Sequence, residues 1–190
     1  MGFKIESRHL GEIAVVVPDV YPDDRGFFME TFRADEFKKL GLPYEYYQDN
    51  QSRSKKGVIR GLHFQWGPPL GKLMRVIYGT VFMVAVDIRK GSPTLGNWFG
   101  LEVSAENRKQ VWAPAGFARG ICVLSEYADI QYKGTAIYNK SGESAIRWND
   151  PDIGVEWPTS APLLSPKDEI AGSFADWLAS HNSDALQYGN

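Results

Sequence analysis

Proton transfer at neutral pH favours histidine, and this sequence has only three. His9 lies in a polar N-terminal segment and His181 in a polar tail, so both are expected to be solvated. His63 differs, because it sits inside Gly57-Val58-Ile59-Arg60-Gly61-Leu62-His63-Phe64-Gln65, a run of strand composition. Alternate residues of a strand share a face. Ile59, Gly61, His63 and Gln65 are therefore expected to point one way, and Val58, Arg60, Leu62 and Phe64 the other, unless a twist or bulge intervenes. Taken alone, that setting fits a structural histidine at least as well as a general base.

A metal centre needs several N, O or S ligands, and this stretch offers one. Gly61 stands two residues before His63 and Gln65 two after it, with no second histidine nearby. A catalytic metal is not expected. The single cysteine, Cys122, excludes an internal disulfide framework and reads as an inert buried thiol between Ile121 and Val123. Charged groups cluster elsewhere: Asp23, Asp24, Arg25 and Glu30 bracket Phe27-Phe28, and Gln48-Asp49-Asn50 precedes Ser52-Arg53-Ser54. Arg60, Lys72, Arg75 and Arg119 fall in or beside apolar strands, where a long cation needs a partner or an anionic ligand. Internal salt bridges account for such cations as readily as a ligand does. There is no glycine-rich phosphate loop, so a bound nucleotide would be held by side chains.

These residues need elements to position them, and strand signals dominate. Short β-branched or aromatic runs cover 13–17, 58–64, 73–78, 81–88, 100–103, 110–113, 120–124, 129–133 and 145–148. Turn sequences separate them, among them Pro22-Asp23-Asp24, Lys90-Gly91-Ser92-Pro93 and Pro114-Ala115-Gly116. Many short strands at such spacing predict a sandwich or barrel. Helices are expected at 34–40 and 173–180 only. At 190 residues, with no repeat and no composition break, the chain is expected to be one domain, 1–190. A net charge of −2 disfavours nucleic acid or an anionic membrane as partner. With no signal-type N-terminus and no apolar run long enough to cross a bilayer, a cytoplasmic protein is expected.

The motifs together resemble the dTDP-4-dehydrorhamnose 3,5-epimerase family over roughly Ile13 to Asp168. Matching stretches are Asp24-Arg25-Gly26-Phe27-Phe28-Met29-Glu30-Thr31-Phe32, Gln48-Asp49-Asn50, Arg60-Gly61-Leu62-His63-Phe64-Gln65 and Gly71-Lys72-Leu73. Val84-Ala85-Val86-Asp87-Ile88-Arg89, Ser92-Pro93-Thr94, Trp148-Asn149-Asp150-Pro151-Asp152-Ile153 and Leu164-Ser165-Pro166-Lys167-Asp168 follow in the family's order.

The resemblance implies an all-β, cupin-type jelly-roll barrel with short peripheral helices, a homodimer, and no metal or organic cofactor. It implies an isomerase that inverts carbons beside the keto group of a nucleotide-linked 4-keto-6-deoxyhexose. By motif, His63 resembles the base, Asp168 the carboxylate that orients it, Lys72 the group near the keto oxygen and Tyr132 the opposing acid. Tyr138 resembles an aromatic that stacks on the nucleobase. Arg25, Glu30, Gln48, Asn50 and Arg60 resemble nucleotide and phosphate contacts, with Glu143 a further candidate.

Four positions depart from the family pattern. Arg119 stands where Ala-His-Gly-Phe places a histidine near the phosphates, and it is expected to serve as an anion contact there. Met83 replaces an aspartate, Leu70 a glutamine, and Gly134 the cysteine of Tyr-Lys-Cys-Thr. The default reading is the rhamnose-type epimerase. A single-position epimerase on another nucleotide sugar, such as a CDP-linked one, is the alternative, and a catalytically inactive sugar-nucleotide-binding module a more distant one.

Overall fold

Each short strand has one apolar face to bury, and two sheets bury those faces against each other. The structure is a computed structural model that describes residues 2–189. Its strands are Phe3–His9 (β1), Ile13–Pro18 (β2), Val20–Asp23 (β3), Gly26–Met29 (β4), Gln48–Lys55 (β5), Ile59–Gln65 (β6) and Lys72–Tyr78 (β7). Thr80–Asp87 (β8), Trp98–Ser104 (β9), Gln110–Ala113 (β10), Phe117–Val123 (β11), Tyr127–Gly134 (β12) and Glu143–Ala145 (β13) follow. The helices are short: Ala34–Lys39 (α1), Pro166–Glu169 (α2) and Phe174–Ala179 (α3).

One sheet runs β1-β2-β10-β7-β12-β5 and the other β13-β6-β11-β8-β9, while β3 and β4 form a separate hairpin. The pairings within them are antiparallel. This is an all-β jelly roll, within the sandwich-or-barrel class that the strand pattern predicts and of the kind that the resemblance implies. Between the sheets, Met74 and Val76 of β7, Met83 and Ala85 of β8, Ile121 and Val123 of β11 and Ile130 of β12 form the main core. The outer face of one sheet, with Leu62, Phe64, Val84 and Val86, is covered by Phe174 and Trp177 of α3. The outer face of the other, with Ala14, Leu73 and Trp112, is covered by Phe37 of α1.

All nine expected strands are present, with shifted ends. The expected strand 145–148 is β13, Glu143–Ala145, because Arg147 Nε turns back to Asp150 Oδ2 at 2.9 Å. Four strands lay outside the expectation: β1, β3, β4 and β5. The most telling is β5, Gln-Asp-Asn-Gln-Ser-Arg-Ser-Lys, which has no apolar residue for a hydrophobic pattern to reveal. His9, expected to be solvated, is instead half-buried. Its ring stacks on Phe99 with centroids 3.7 Å apart, and its Nε2 shares a 2.9 Å hydrogen bond with Ser7 Oγ. His181 is exposed as expected, and Cys122 is buried within β11.

The Val84–Arg89 and Ser92-Pro93-Thr94 motifs form a buried charge knot at the end of β8. The Asp87 carboxylate accepts hydrogen bonds from Arg89 Nε and Nη2 at 2.9 and 2.8 Å, Ser92 Oγ at 2.5 Å and Thr94 Oγ1 at 2.7 Å. Burial alone would raise the Asp87 carboxyl, but these donors outweigh it and hold it below the usual value. Asp87→Ala leaves Arg89 with Glu12 as its remaining carboxylate partner and takes the acceptor from Ser92 and Thr94, so unfolding stability in denaturant should fall by about 2–3 kcal/mol. In the native protein, the Asp87 contribution should be complete above the ordinary carboxyl value of 3.8 and disappear as pH falls through the depressed one.

Candidate active site

The apolar filling between the sheets stops short of one end, where the last inward-facing positions carry polar groups. On β7, Lys72 follows the inward row of Val76 and Met74, and on β12 Tyr132 follows Ile130. From the facing sheet come His63 and Arg60 of β6 and Arg119 of β11. Gln48 and Asn50 enter from β5, Glu143 from β13 and Tyr138 from the loop after β12. Together they line a cavity of about 270 Å³ and an adjoining inner recess of about 160 Å³, which share His63, Lys72 and Tyr132.

Strict alternation would send Arg60 and His63 to opposite faces, yet both reach this interior. The register against β11 slips between Arg119, opposite His63, and Ile121, opposite Arg60. That bulge puts three positions where alternation allows two or four. Gly61 makes it possible: its φ is +148°, and a Cβ there would lie 2.6 Å from the Gly120 Cα. The face assignment read from the sequence is corrected accordingly.

The His63 ring is held by Asp168. His63 Nε2 lies 2.5 Å from Asp168 Oδ1, and the carboxylate is 2% exposed. Ser165, at the N-cap of α2, donates its hydroxyl to Asp168 Oδ2 at 2.7 Å, and Pro166 starts the helix. Burial would raise the Asp168 carboxyl, but the hydrogen bonds from His63, Ser165 and the Gly61 backbone hold it below the ordinary range. Asp168 thus stays an acceptor for Nε2–H, which leaves Nδ1 as the ring nitrogen with a free lone pair.

Around this pair the electrostatics are uneven. Burial, and next the Arg119 charge, push the Lys72 ammonium down to about 7, against the pull of Glu143. Its Nζ lies 4.5 Å from the centre of the Tyr132 ring. Burial and Glu143 raise the Tyr132 phenol, so it remains protonated through neutral pH. Glu143 is kept ionised, burial notwithstanding, by Lys167 Nζ at 2.5 Å and the Tyr138 hydroxyl at 3.0 Å. Gln48 accepts from the Tyr138 backbone N–H at 2.8 Å and donates to Asn50 Oδ1 at 3.0 Å. Arg60 donates from Nε to Ser54 Oγ at 2.8 Å and meets no carboxylate at ion-pair distance among the described residues.

A sequence model of the family described as dTDP-4-dehydrorhamnose 3,5-epimerase matches residues 7–176. The chain belongs to this family. The dTDP-4-dehydrorhamnose 3,5-epimerase of Neisseria gonorrhoeae is 52% identical over 180 residues, which are 94% of this chain and only 54% of that protein's length. That of Shigella flexneri is 50% identical over 172 residues, 90% of this chain and 95% of its own. Among solved structures, the dTDP-6-deoxy-D-glucose-3,5-epimerase of Legionella pneumophila, in complex with dTDP-4-keto-L-rhamnose, superposes with a TM-score of 0.91. It is 42% identical and the match covers 99% of both chains. The jelly roll is the cupin-type barrel of these epimerases, and the family is one of isomerases.

Ten of the residues singled out from the sequence border or support this one cavity: His63, Asp168, Tyr132, Lys72, Gln48, Asn50, Arg60, Arg119, Tyr138 and Glu143. Arg25 and Glu30 are not among its lining residues. Arg25 is paired with Asp23 on the exposed β3–β4 hairpin, and Glu30 with Arg33 just before α1. Ser165 and Lys167 escaped sequence reading as site residues, although Ser-Pro-Lys-Asp is a helix N-cap signature that could have placed Asp168 in a first turn.

Three of the four departures from the family pattern meet at one corner of the cavity. Arg119 donates from Nη2 to the Leu70 carbonyl at 2.9 Å, and a Cβ at Gly134 would stand 3.4 Å from Leu70 Cδ1. The fourth, Met83, is part of the main core. Arg119 also donates to the Ala113 and Pro114 carbonyls at 3.3 and 3.4 Å, so its guanidinium is tethered rather than free to reach outward.

Gly61→Ala offers a test of the bulge. A side chain there collides with Gly120 and should displace His63, and a shift of about 1 Å is enough to cost on the order of a hundredfold in turnover. Rate measurement alongside the thermal midpoint separates that loss from simple unfolding.

Proposed function

We propose that this chain is a 3,5-epimerase of dTDP-4-keto-6-deoxyglucose, with the reaction carried by this cavity in one domain. The observation behind the reading is that the base and acid candidates stand on opposite sheets. His63 belongs to β6 and Tyr132 to β12, so a sugar ring between them would show one face to each. A C–H beside a ketone is acidic because its carbanion delocalises into an enolate. In this reading His63 takes that proton at Nδ1, and Asp168 stabilises the resulting imidazolium. Lys72 meets the negative charge developing on the keto oxygen. Tyr132, kept protonated by its surroundings, returns a proton to the other face.

Gln48, Asn50, Arg60, Tyr138 and Glu143 are assigned to holding the sugar nucleotide, while Arg119, tethered to three main-chain carbonyls, is not given that task. Arg25 and Glu30 are assigned to the same task across a homodimer, because they project from another part of the chain. The hairpin that bears Arg25 also exposes Phe27 and Phe28 by 54% and 59%, an aromatic surface suited to a partner subunit. Neither nucleic acid nor a membrane is part of the reading, and no helix among the described residues is long and apolar enough to cross a membrane. The lone buried Cys122 suits a reducing cytoplasm.

The test is solvent exchange. In deuterium oxide with dTDP-4-keto-6-deoxyglucose, deuterium should enter at C3 and at C5, as followed by NMR. Entry at one carbon only makes the protein a single-position epimerase, and exchange only with the CDP-linked sugar changes the nucleotide. Binding without exchange leaves a sugar-nucleotide-binding module. His63→Ala should abolish exchange at every carbon while the circular dichroism stays native, and persistent exchange would remove His63 as the base.

Tyr132→Phe keeps the ring and removes the donor. Washout of the C–H proton should outlast formation of the inverted sugar in this variant. Equal loss of both would make Tyr132 a positioning residue.

A further inference from the structure

A buried guanidinium usually has a carboxylate beside it, because desolvation without a counter-charge is costly. Arg119 has none. It is 4% exposed, faces His63 across the β6–β11 register, and gives its hydrogen bonds to three main-chain carbonyls. Its Nε is buried without a partner. The inner recess it lines contains Arg60 and Lys72 and no aspartate or glutamate. Met83, inward-facing on the neighbouring β8, brings no charge either. The carbonyl cage fixes the guanidinium in place and leaves its charge unneutralised.

Lys72 is the group that feels it. Facing Lys72 are Arg119 from β11, His63 and Arg60 from β6, Tyr132 from β12, Glu143 from β13 and, farther out, Lys167 from α2. Glu143 is the one anion in that set, and it is already engaged by Lys167 and Tyr138. Lys72 has no hydrogen-bonded carboxylate of its own among the described residues.

We propose that Arg119 is a positioning residue whose unneutralised charge, fixed in the recess it shares with Lys72, favours release of a proton from the Lys72 ammonium. Lys72 then works as a reversible proton donor to the keto oxygen rather than as a fixed cation. As His63 takes the proton from carbon, the Lys72 ammonium gives a proton to the oxygen, forming an enol and a neutral amine. When Tyr132 protonates carbon from the other side, the enol O–H proton returns to the amine and the ketone is restored. Lys72 ends as it began, His63 has gained one proton and Tyr132 has lost one. A donor poised near neutrality can both give and recover a proton, which an ordinary lysine does poorly. The direction of the Lys72 shift agrees, with burial its largest cause and Arg119 the next. The proposal rests on the reading of Lys72 as the group at the keto oxygen.

Competitive labelling with trace acetic anhydride, read by peptide mass spectrometry across a pH series, measures the Lys72 midpoint without any substrate. It therefore stands whether or not the epimerase reading does. The native midpoint should be about 7. Arg119→Gln removes a like charge and should raise it by roughly one pH unit, whereas Arg119→Lys keeps the charge and should leave it near the native value. In the exchange assay, the alkaline limb of kcat should rise with the labelling midpoint. If Arg119→Gln does not fold, Arg119→His carries the same test, since its imidazole is neutral above about pH 7.5. An unmoved midpoint in a folded neutral variant overturns the proposal. An equal rise in Arg119→Lys also overturns it, by tracing the shift to an opened cavity, and so does an alkaline limb that ignores the Lys72 midpoint.

Discussion

The contact between His63 and Asp168 constrains more of this molecule than any other. A carboxylate buried to this degree must be fully hydrogen-bonded, and its donors come from the α2 N-cap, the His63 ring and the Gly61 backbone. Meeting that requirement pins α2 against β6, although 105 residues separate the two side chains in sequence. It also requires His63 to point inward at a place where regular alternation from Arg60 would turn it away. The bulge at Gly61 reconciles the two demands, and it exists only because two glycines can touch across β6 and β11.

Around that pair, the charges divide between the two parts of the cavity. The smaller recess is cationic, with Lys72, the buried Arg119 and the exposed Arg60 in its lining. The larger part holds Glu143, restrained by Lys167 and Tyr138. Such a division suits a ligand that carries negative charge and that develops more of it during reaction, because the fixed donors need no reorganisation when the charge appears. The low-dielectric core beneath the recess strengthens every one of these interactions.

Much of this was legible in the chain. The apolar runs gave away β2, β7, β8, β10, β11 and β12, because each buries a face against the opposite sheet. The same logic misses β5, whose residues alternate between cavity and solvent and are polar on both sides. His63 stood out as the one histidine in an apolar strand, but its face did not, since a bulge leaves no mark in a period-two pattern beyond a glycine. The pairing with Asp168 was legible only through resemblance to a family, because a contact over that separation leaves no local trace. His9 misled for the opposite reason: its polar neighbours hid an aromatic partner on β9.

The corner formed by Leu70, Gly134 and Arg119 has an evolutionary consequence. A Cβ at Gly134 would touch the Leu70 side chain at 3.4 Å and the Ala136 carbonyl oxygen more tightly at 3.1 Å, and the Leu70 carbonyl anchors Arg119. Substitutions at these three positions are therefore expected to be epistatic, each one altering the effect of the next. A side chain at position 134 must also move the Ala136 carbonyl oxygen, 3.1 Å from its Cβ, so the segment after β12 shares in that coupling.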